Sequence, residues 1–419
     1  MRINEVVARL ESRGVPGKQF WEDDLEMSME LALRPTLVNG SVGDWIGKRT
    51  GRQLGVLCRR LKIDGGDSTQ KLKAAVRTRE DDLLPYVLVE HFAKGKAKVA
   101  IVELGKRALD KTALGLCAME PEEGEEETYD TTALCFALHD AGVENLRLLF
   151  HLDKTHKSGF ARLALTTNPR KPAASLAETL KPARLGRILE EFDKAQRDGR
   201  RSELKQVVPM GDRHLVFVRR PARPGHLIDD GRMVHGRYPE WIMLDFEEGA
   251  KRVRISSKHP AVRKIADRVA TAYFSDAREY DNETKPTPVK QVVAFLKKLA
   301  PVKSGDLVLV EVALTNCALK GAPKMRISDE DSNSLGPAIA HYEEALGPLL
   351  DKVAAIESVK VLFKKKRVGL LFDPEVEGDE AYDVRYTDQR LNRTERELFE
   401  NLMRETHAIS VLSTEKVFE

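Results

Sequence analysis

The sequence predicts an α+β protein, in which a helical N-terminal region precedes a larger domain with a mainly antiparallel sheet and packed helices. Three observations indicate this class. Apolar residues recur with helical spacing in the first part of the chain. After residue 205 the pattern changes to short apolar runs separated by turns, which is typical of strands. Hydrophobic residues make up 42% and charged residues 32% of the 419, an ordinary globular composition that disfavours disorder.

The N-terminal elements are predicted to be short helices. Segment 4–13 places its apolar residues on one helix face. A second helix is expected over residues 21–33, ending before Pro35 because a proline ring disfavours helical backbone at the residue before it. Further helices are expected over 131–141 and 174–198.

Strands are predicted from short apolar or alternating runs. The predicted strands are 146–150, 161–165, 214–218, 241–246, 252–256, 307–314, 324–328 and the two arms of a hairpin over 361–372.

The C-terminal part also contains predicted helices. We expect them over 261–274 and 336–356, each after a strand that ends in Arg-Ile-Ser. This repeated order suggests a duplicated hairpin–helix unit, and a chance match of three residues is the alternative. A last helix is expected to begin at a capping box formed by Thr394 and Glu397, with Leu398, Phe399 and Leu402 on its apolar face.

These patterns suggest four segments. Residues 1–118 form a helical, basic region, and 119–130 form an acidic linker or loop rich in glutamate. Residues 131–204 are mixed, mostly helical and basic, and 205–419 form the α+β domain.

Charge is unevenly distributed along the chain, although the net charge is only +3. Residues 47–112 contain 16 lysines and arginines against 8 acidic residues, and residues 154–237 contain 19 against 9. Two basic blocks indicate a polyanionic partner, because phosphate binding depends on clustered positive charge. Helical regions with solvated basic faces are the alternative.

The most specific local pattern is a predicted helical hairpin over residues 53–77. Leu54, Leu57 and Leu61 share one face of its first helix, two glycines permit a sharp reversal, and Leu72 and Val76 face back from its second helix. Asp67 is expected to cap the second helix.

This hairpin resembles a SAP-type helix–extended loop–helix motif. The resemblance covers about 25 residues, and it departs from the family at Asp67 and in lacking a glycine before Lys71. It implies DNA binding through the second helix and nearby basic residues; a purely structural hairpin is the alternative. The predicted nucleic-acid-binding residues are Arg49, Arg52, Arg59, Arg60, Lys71, Lys73 and Arg77. Arg200, Arg201, Arg219 and Arg220 are candidates for extending that surface.

Catalytic candidates are fewer, and none forms an established motif. His226 and Asp230, together with His235, carry side chains that suit a divalent metal, although Asp229-Asp230-Gly231 is also typical of a hairpin turn. Asp245, with Glu248 and Lys251 after it, has the residue types of a metal-dependent nuclease, for which charged turn residues are the alternative. We therefore predict no metal site and no cofactor.

The sequence contains no phosphate-binding, dinucleotide-binding or α/β-hydrolase signature. No apolar run is long enough to cross a membrane, no secretory signal is visible, and the four cysteines show no disulfide pattern, so a cytoplasmic protein is expected.

The leading hypothesis is a non-enzymatic DNA-binding adaptor or sensor that also has a protein partner or forms a homo-oligomer. The alternatives are a metal-dependent nuclease or phosphoesterase, and a protein–protein scaffold.

Overall fold

The structure is a computed structural model of the chain. It divides into two compact units, Met1–His156 and Lys157–Glu419. The division falls between the boundaries expected at 130 and 204. The structure describes all residues except 1–2, 13, 67, 121–126, 170, 173, 230–231, 248, 257–259, 277, 284–285, 302–304, 316–320, 322–323, 330–333, 347–354, 375–380, 388–389 and 414–419.

The first unit is helical, with one short strand pair. In chain order its elements are α1 (Ile3–Ser12), a π-helical turn (Gln19–Asp24), α2 (Met29–Leu37), α3 (Val42–Gly47), α4 (Gly51–Leu61), α5 (Thr69–Arg77), a 3₁₀ turn (Glu80–Asp82), α6 (Leu84–Lys94), α7 (Lys98–Ala108), α8 (Lys111–Cys117), β1 (Ala118–Met119), β2 (Thr128–Tyr129), α9 (Thr131–Ala141) and α10 (Glu144–Lys157).

The predicted helix over 21–33 is wrong in both its start and its end. The segment begins with the separate π-helical turn, and α2 starts after Ser28, whose hydroxyl accepts the N–H of Leu31. Pro35 lies inside α2 rather than beyond it. Proline cannot donate to the carbonyl of Leu31 four residues earlier, but Leu31 is exposed, and a carbonyl at an exposed helix turn can bind solvent instead.

The strand expected at 146–150 is also wrong, because these residues lie within α10. Leu146, Leu149 and Phe150 are fully buried at the i, i+3, i+4 spacing of one helix face. A short apolar run fits a buried helix as well as a strand, and packing in the helical unit decides between them.

The acidic segment joins two parts of the same unit. Strands β1 and β2 pair antiparallel, with Ala118 opposite Tyr129 and Met119 opposite Thr128. Asp130 then caps α9 by accepting the N–H of Ala133. The central glutamates at 121–126 lie outside the described residues. The described residues on both sides of the segment therefore belong to the same unit.

The second unit contains two larger sheets. The elements up to residue 282 are β3 (Ala161–Leu165), α11 (Leu176–Thr179), α12 (Pro182–Gln196), β4 (Glu203–Met210), β5 (Arg213–Pro221), β6 (Gly225–Asp229), β7 (Arg232–Gly236), β8 (Pro239–Glu247), β9 (Arg252–Ile255), α13 (Pro260–Phe274) and β10 (Tyr280–Asn282). The first sheet is antiparallel, with strand order β10-β3-β9-β8-β5-β4, while β6 and β7 pair with each other as a separate ribbon.

The two faces of the first sheet differ in polarity. One face packs Val216, Leu244 and Val253 against Leu189 of α12 and Ile265 of α13. Because side chains alternate across a strand, the neighbouring positions on β3, β5, β8 and β9 point to the other face, where buried charged residues gather.

The remaining elements form the second sheet and its helices. They are β11 (Thr287–Pro288), α14 (Val289–Leu299), β12 (Leu307–Thr315), β13 (Met325–Ser328), α15 (Gly336–Leu346), β14 (Ala355–Phe363), β15 (Lys366–Pro374), β16 (Ala381–Thr387), α16 (Arg393–His407) and β17 (Val411–Ser413). The order is β11-β16-β15-β14-β12-β13, and β17 pairs parallel with β16. The predicted α+β class is confirmed.

The last helix differs from its prediction. Its cap is Asn392, whose side chain accepts the N–H of Glu395, and the Glu395 carboxylate accepts the N–H of Asn392 in return. The predicted box at Thr394 is therefore two residues late. Phe399 and Met403 are fully buried, whereas Leu398 is exposed, because the buried face of the helix is set by the sheet beneath it.

Each proposed repeat contains an antiparallel strand pair followed by a helix: β8, β9 and α13 in one, and β12, β13 and α15 in the other. Duplication itself stays a prediction. The helix expected over 336–356 is described only as far as Leu346, and β14 already begins at Ala355. Among the described residues, no helix is long and apolar enough to span a membrane.

Candidate nucleic-acid interface

The SAP-like segment forms the expected pair of helices. Thr50 caps α4 by accepting the N–H of Gln53, whose side chain accepts the N–H of Thr50. Ser68 caps α5 by accepting the N–H of Lys71. The predicted cap, Asp67, lies outside the described residues, and the neighbouring serine performs that role. Local capping therefore defines both helix starts.

The two helices pack through an apolar seam that requires a glycine in the turn. Leu54, Leu57 and Val76 are fully buried. A Cβ on Gly65 would lie 2.3 Å from Cδ2 of Leu72 and 2.9 Å from Sγ of Cys58. Such distances are far inside van der Waals contact, so the loop reaches the helices closely only because residue 65 has no side chain.

Two predicted DNA-contacting arginines bind within the protein. The Arg49 guanidinium is buried 2.9 Å from Oε2 of Glu90, and it lies over the Trp45 ring at 4.7 Å. Arg52 donates from Nε to the carbonyl of Ala118 at 2.6 Å. Phosphate contact by Arg49 stays a prediction, and it would require Arg49 to leave its buried carboxylate partner, Glu90.

Two others, Arg59 and Arg60, lie at the C-terminal end of α4. Their side chains are 47% and 61% exposed and line one cavity, together with Lys62. They are thus on a different part of the hairpin from the basic residues of α5.

The basic residues of α5 lie beside α3. The Lys73 Nζ donates to the carbonyl of Gly47 at 2.6 Å, and Arg77 lines a second cavity of about 540 Å³ that also includes Gly47. Lys48 and Lys94 line the same cavity. We call Lys48, Lys73, Arg77 and Lys94 the second-helix patch.

The second-helix patch has an excess of positive charge. Of its members, Lys94 has a carboxylate partner, Glu90 at 3.1 Å. Within the part of the chain that the structure describes, no carboxylate lies at ion-pair distance from Lys48, Lys73 or Arg77. These three cations are therefore available to an external anion.

Two titratable groups beside the patch reflect these surroundings. Burial alone would raise the pKa of Glu90, but the charge of Arg49 and hydrogen bonds from Trp45 and Lys94 hold it below its ordinary value. The pKa of His91 is lowered by burial and by Lys94. These shifts reflect burial and the nearest charges at this surface.

That Lys73 and Arg77 bind nucleic acid stays a prediction. The structure places two further cations, Lys48 and Lys94, beside Arg77 in the same cavity. Lys48 directly precedes Arg49 in the short connection between α3 and α4, so the sequence shows this pair of basic residues. Lys94 is distant in sequence and joins the patch only through the packing of α6. Lys71 lies on another side of α5, where a Cβ on Gly66 would lie 3.0 Å from its Cδ.

The arginine pairs of the second basic block are mostly held by carboxylates. Arg219 binds Glu203 at 2.7 Å, and the buried Arg220 lies 3.3 Å from Asp193 and 2.9 Å from Asp198. Arg200 also binds Asp198, at 2.7 Å. The suggestion that these three extend a DNA surface is wrong, because their charge is neutralised within the fold. Arg201 is exposed.

The catalytic candidates do not assemble as expected for a metal-dependent nuclease. Asp245 is buried and bound to Arg213, which also contacts Glu247 at 2.6 Å. The Asp245 carboxylate therefore belongs to a network of ion pairs with Arg213 and Glu247. Lys251 is exposed at the following turn, and Glu248 lies outside the described residues.

The proposed histidine site is only partly described. His226 and His235 are cross-strand neighbours on the β6–β7 ribbon, with ring centroids 4.3 Å apart. Asp230, the third candidate ligand, lies outside the described residues. Among the described residues, no three His, Cys, Asp or Glu side chains form a group suited to a metal ion.

Comparison with known proteins adds no family to this description. No protein-family model matches the chain, and no curated protein matches it. Function is therefore inferred from the geometry of the chain's own residues.

Proposed function

We propose that this protein binds nucleic acid through phosphate contacts made by the second-helix patch, as a non-enzymatic adaptor or sensor. The observation that carries the proposal is that Lys48 and Arg77 line one cavity and that Lys73 binds the carbonyl of Gly47 at its edge. None of these three cations has a carboxylate at ion-pair distance among the described residues, although Asp44 and Glu90 also line the cavity. Lysine and arginine contacts to phosphate supply affinity with little base information. The resemblance of α4 and α5 to a SAP-type motif supports the same surface.

Direct binding tests this proposal. Fluorescence anisotropy of labelled duplex and single-stranded DNA is measured between about 50 and 200 mM salt, where phosphate contacts lose most of their affinity. The patch variant is Lys48→Gln/Lys73→Gln/Arg77→Gln. Because each phosphate contact contributes about 0.9 to the slope of log K against log salt, we expect the variant to bind more weakly and to lose roughly 2 to 3 units of slope.

The control is Arg59→Gln/Arg60→Gln, which removes two exposed cations from the same hairpin but from the other cavity. It should keep most of the affinity for DNA whose 5′ ends carry no phosphate. If the wild type does not bind at about 50 mM salt, the proposal fails. It fails equally if the patch variant binds like the wild type while thermal melting shows both to be folded.

Self-association is the second candidate, and the β6–β7 ribbon favours it. An isolated two-stranded ribbon is marginally stable in water, and this one carries exposed Met233, with exposed Tyr238 following it. We propose a second copy of the chain as the partner.

Sedimentation velocity tests this second candidate. Replacing residues 225–236 with an Asn-Gly turn should shift a concentration-dependent dimer to monomer while the β5–β8 pairing remains. A wild type that stays monomeric across the concentrations tested would exclude it.

A further inference from the structure

The cavity beside Arg59 and Arg60 is separate from the second-helix patch and has no role in the proposed function. Its volume is about 460 Å³, within the range of small-molecule sites. Its apolar wall is formed by small or aliphatic side chains from three helices and a connecting residue. They include Val56 of α4, Leu109, Ala113 and Leu116 of the α7–α8 region, and Ala137 of α9.

One side of the cavity is cationic. Arg59, Arg60 and Lys62 line it together at the end of α4, where the backbone turns through a left-handed residue, Lys62, with φ of 55°. The last turn of α4 therefore directs three cations to one rim. Neighbouring cations of this kind hold a phosphate by charge-assisted hydrogen bonds.

Two carboxylates also line the cavity. Asp110 lies 3.7 Å from Arg59, and Asp140 lies 3.6 Å from Arg60. Both distances exceed that of a hydrogen bond, so neither guanidinium is fully committed to its carboxylate. The Tyr86 hydroxyl donates to Asp140 at 2.6 Å, which fixes the orientation of that carboxylate.

The Tyr86 hydroxyl that makes this contact also keeps its proton. Burial first, and then the negative charge of Asp140, raises the pKa of Tyr86 well above its ordinary value. Tyr86 therefore remains a donor to Asp140, and the carboxylate of Asp140 keeps a second oxygen that can accept a hydrogen bond.

We propose that this cavity binds a nucleoside monophosphate group. Its three kinds of lining match the three parts of such a ligand. The aliphatic wall suits the base, the two carboxylates can accept further hydrogen bonds from ribose hydroxyls, and the three cations bind the phosphate. A fatty acid has no hydroxyl to donate to the two carboxylates, and inorganic phosphate would leave the apolar wall empty. Free nucleotides and the 5′ end of a strand share this chemistry.

Isothermal titration of the full chain with free nucleotides tests the proposal. The probes are AMP and CMP, with adenosine and ribose 5-phosphate as ligands that lack one part each. We expect a monophosphate to bind, and each truncated ligand to bind at least about tenfold more weakly because it loses either its charged or its apolar contacts. This expectation does not depend on the proposed nucleic-acid function.

Two variants locate the binding. Arg59→Gln/Arg60→Gln removes the phosphate contacts, and Ala113→Phe fills the apolar side of the cavity. Each should weaken AMP binding by about tenfold or more, while Lys73→Gln/Arg77→Gln on the second-helix patch should leave it unchanged. Circular dichroism confirms that the variants are folded.

The same titration distinguishes the two sources of the ligand. If short single strands bind only when they carry a 5′-phosphate, and mononucleotides bind weakly, the cavity holds a strand end. If mononucleotides bind at least as well, it holds a free nucleotide. Equal binding of AMP and ribose 5-phosphate would overturn the proposal, as would no binding of any probe or wild-type affinity in both cavity variants. Loss of DNA binding in the patch variant alone would leave this inference standing.

Discussion

Arg162 on β3 and Glu400 on α16 form a buried ion pair, with 3.0 Å between Nη1 and Oε2, although 238 residues separate them. The pair connects a strand of the first sheet to a helix packed on the second. Arg254 also approaches Glu400, at 3.4 Å, and the Tyr386 hydroxyl donates to Glu400 at 2.7 Å. Glu400 is therefore a shared acceptor for groups from both sheets.

Removing the charge of Glu400 should destabilise the second unit. We expect Glu400→Gln to lower the free energy of unfolding by about 3–5 kcal/mol, because two buried arginines lose a carboxylate that they share. Glu405→Gln is the control on the same helix, where the side chain is 72% exposed, and it should change stability by less than about 0.5 kcal/mol. Urea denaturation measures both. Equal stability of the two variants would show that the network is energetically neutral.

The same network predicts acid sensitivity. Burial would raise the pKa of Glu247, but the charges of Arg254, Arg213 and Arg162 outweigh it and hold the pKa below the ordinary 4.5. A depressed folded-state pKa gives stability that is present above the unfolded value and is lost as the pH falls through the folded one. The stability difference between wild type and Glu247→Gln should therefore be full at pH 7 and shrink below about pH 4.5. A difference that stays constant from pH 7 to about pH 3 would contradict this explanation.

Two glycines of the hairpin should respond in opposite ways to alanine. Gly65→Ala places a Cβ 2.3 Å from Leu72 and should cost about 1–3 kcal/mol through overpacking. Gly55→Ala meets nothing within 4 Å in the middle of α4 and should stabilise by up to about 1 kcal/mol, since alanine favours helix. Thermal melting of the two variants compares them directly. A destabilised Gly55→Ala would argue against the helix described here.

The buried Glu311 of β12 gives a test of cross-strand pairing. Its carboxylate lies 2.8 Å from Nζ of Lys360 on β14 and 3.7 Å from Nε of Arg326 on β13. Lys360→Met should cost about 1–3 kcal/mol, because it weakens the neutralisation of a buried charge. The double change Glu311→Leu/Lys360→Met should recover most of that loss, since apolar pairs replace buried ion pairs at little cost. Denaturant midpoints of the two variants would decide. A single variant as stable as the wild type would mean that Arg326 neutralises Glu311 alone, and a double variant with no recovery would contradict the explanation by buried charge.

Several features could be predicted because short-range rules determine them. The hairpin of α4 and α5 follows from leucine spacing and from the glycines between its helices, and β5, β8 and β12 follow from apolar runs bounded by turns. The errors lie where two local rules compete. Residues 146–150 fit a strand or a buried helix equally, and Asn392 and Thr394 each begin a pattern that can cap a helix.

The sequence by itself therefore determined the α+β class, most elements and the hairpin, because backbone preference and apolar periodicity act between near neighbours. Only the tertiary structure decided what each charge does. Arg49, Arg77, Lys94 and Arg220 all lie within the two basic blocks of the sequence. Arg49 and Arg220 are buried against carboxylates, while Arg77 remains available beside Lys94. The partner of a charged side chain is often distant in sequence and is brought close only by packing, so no local sequence pattern predicts it.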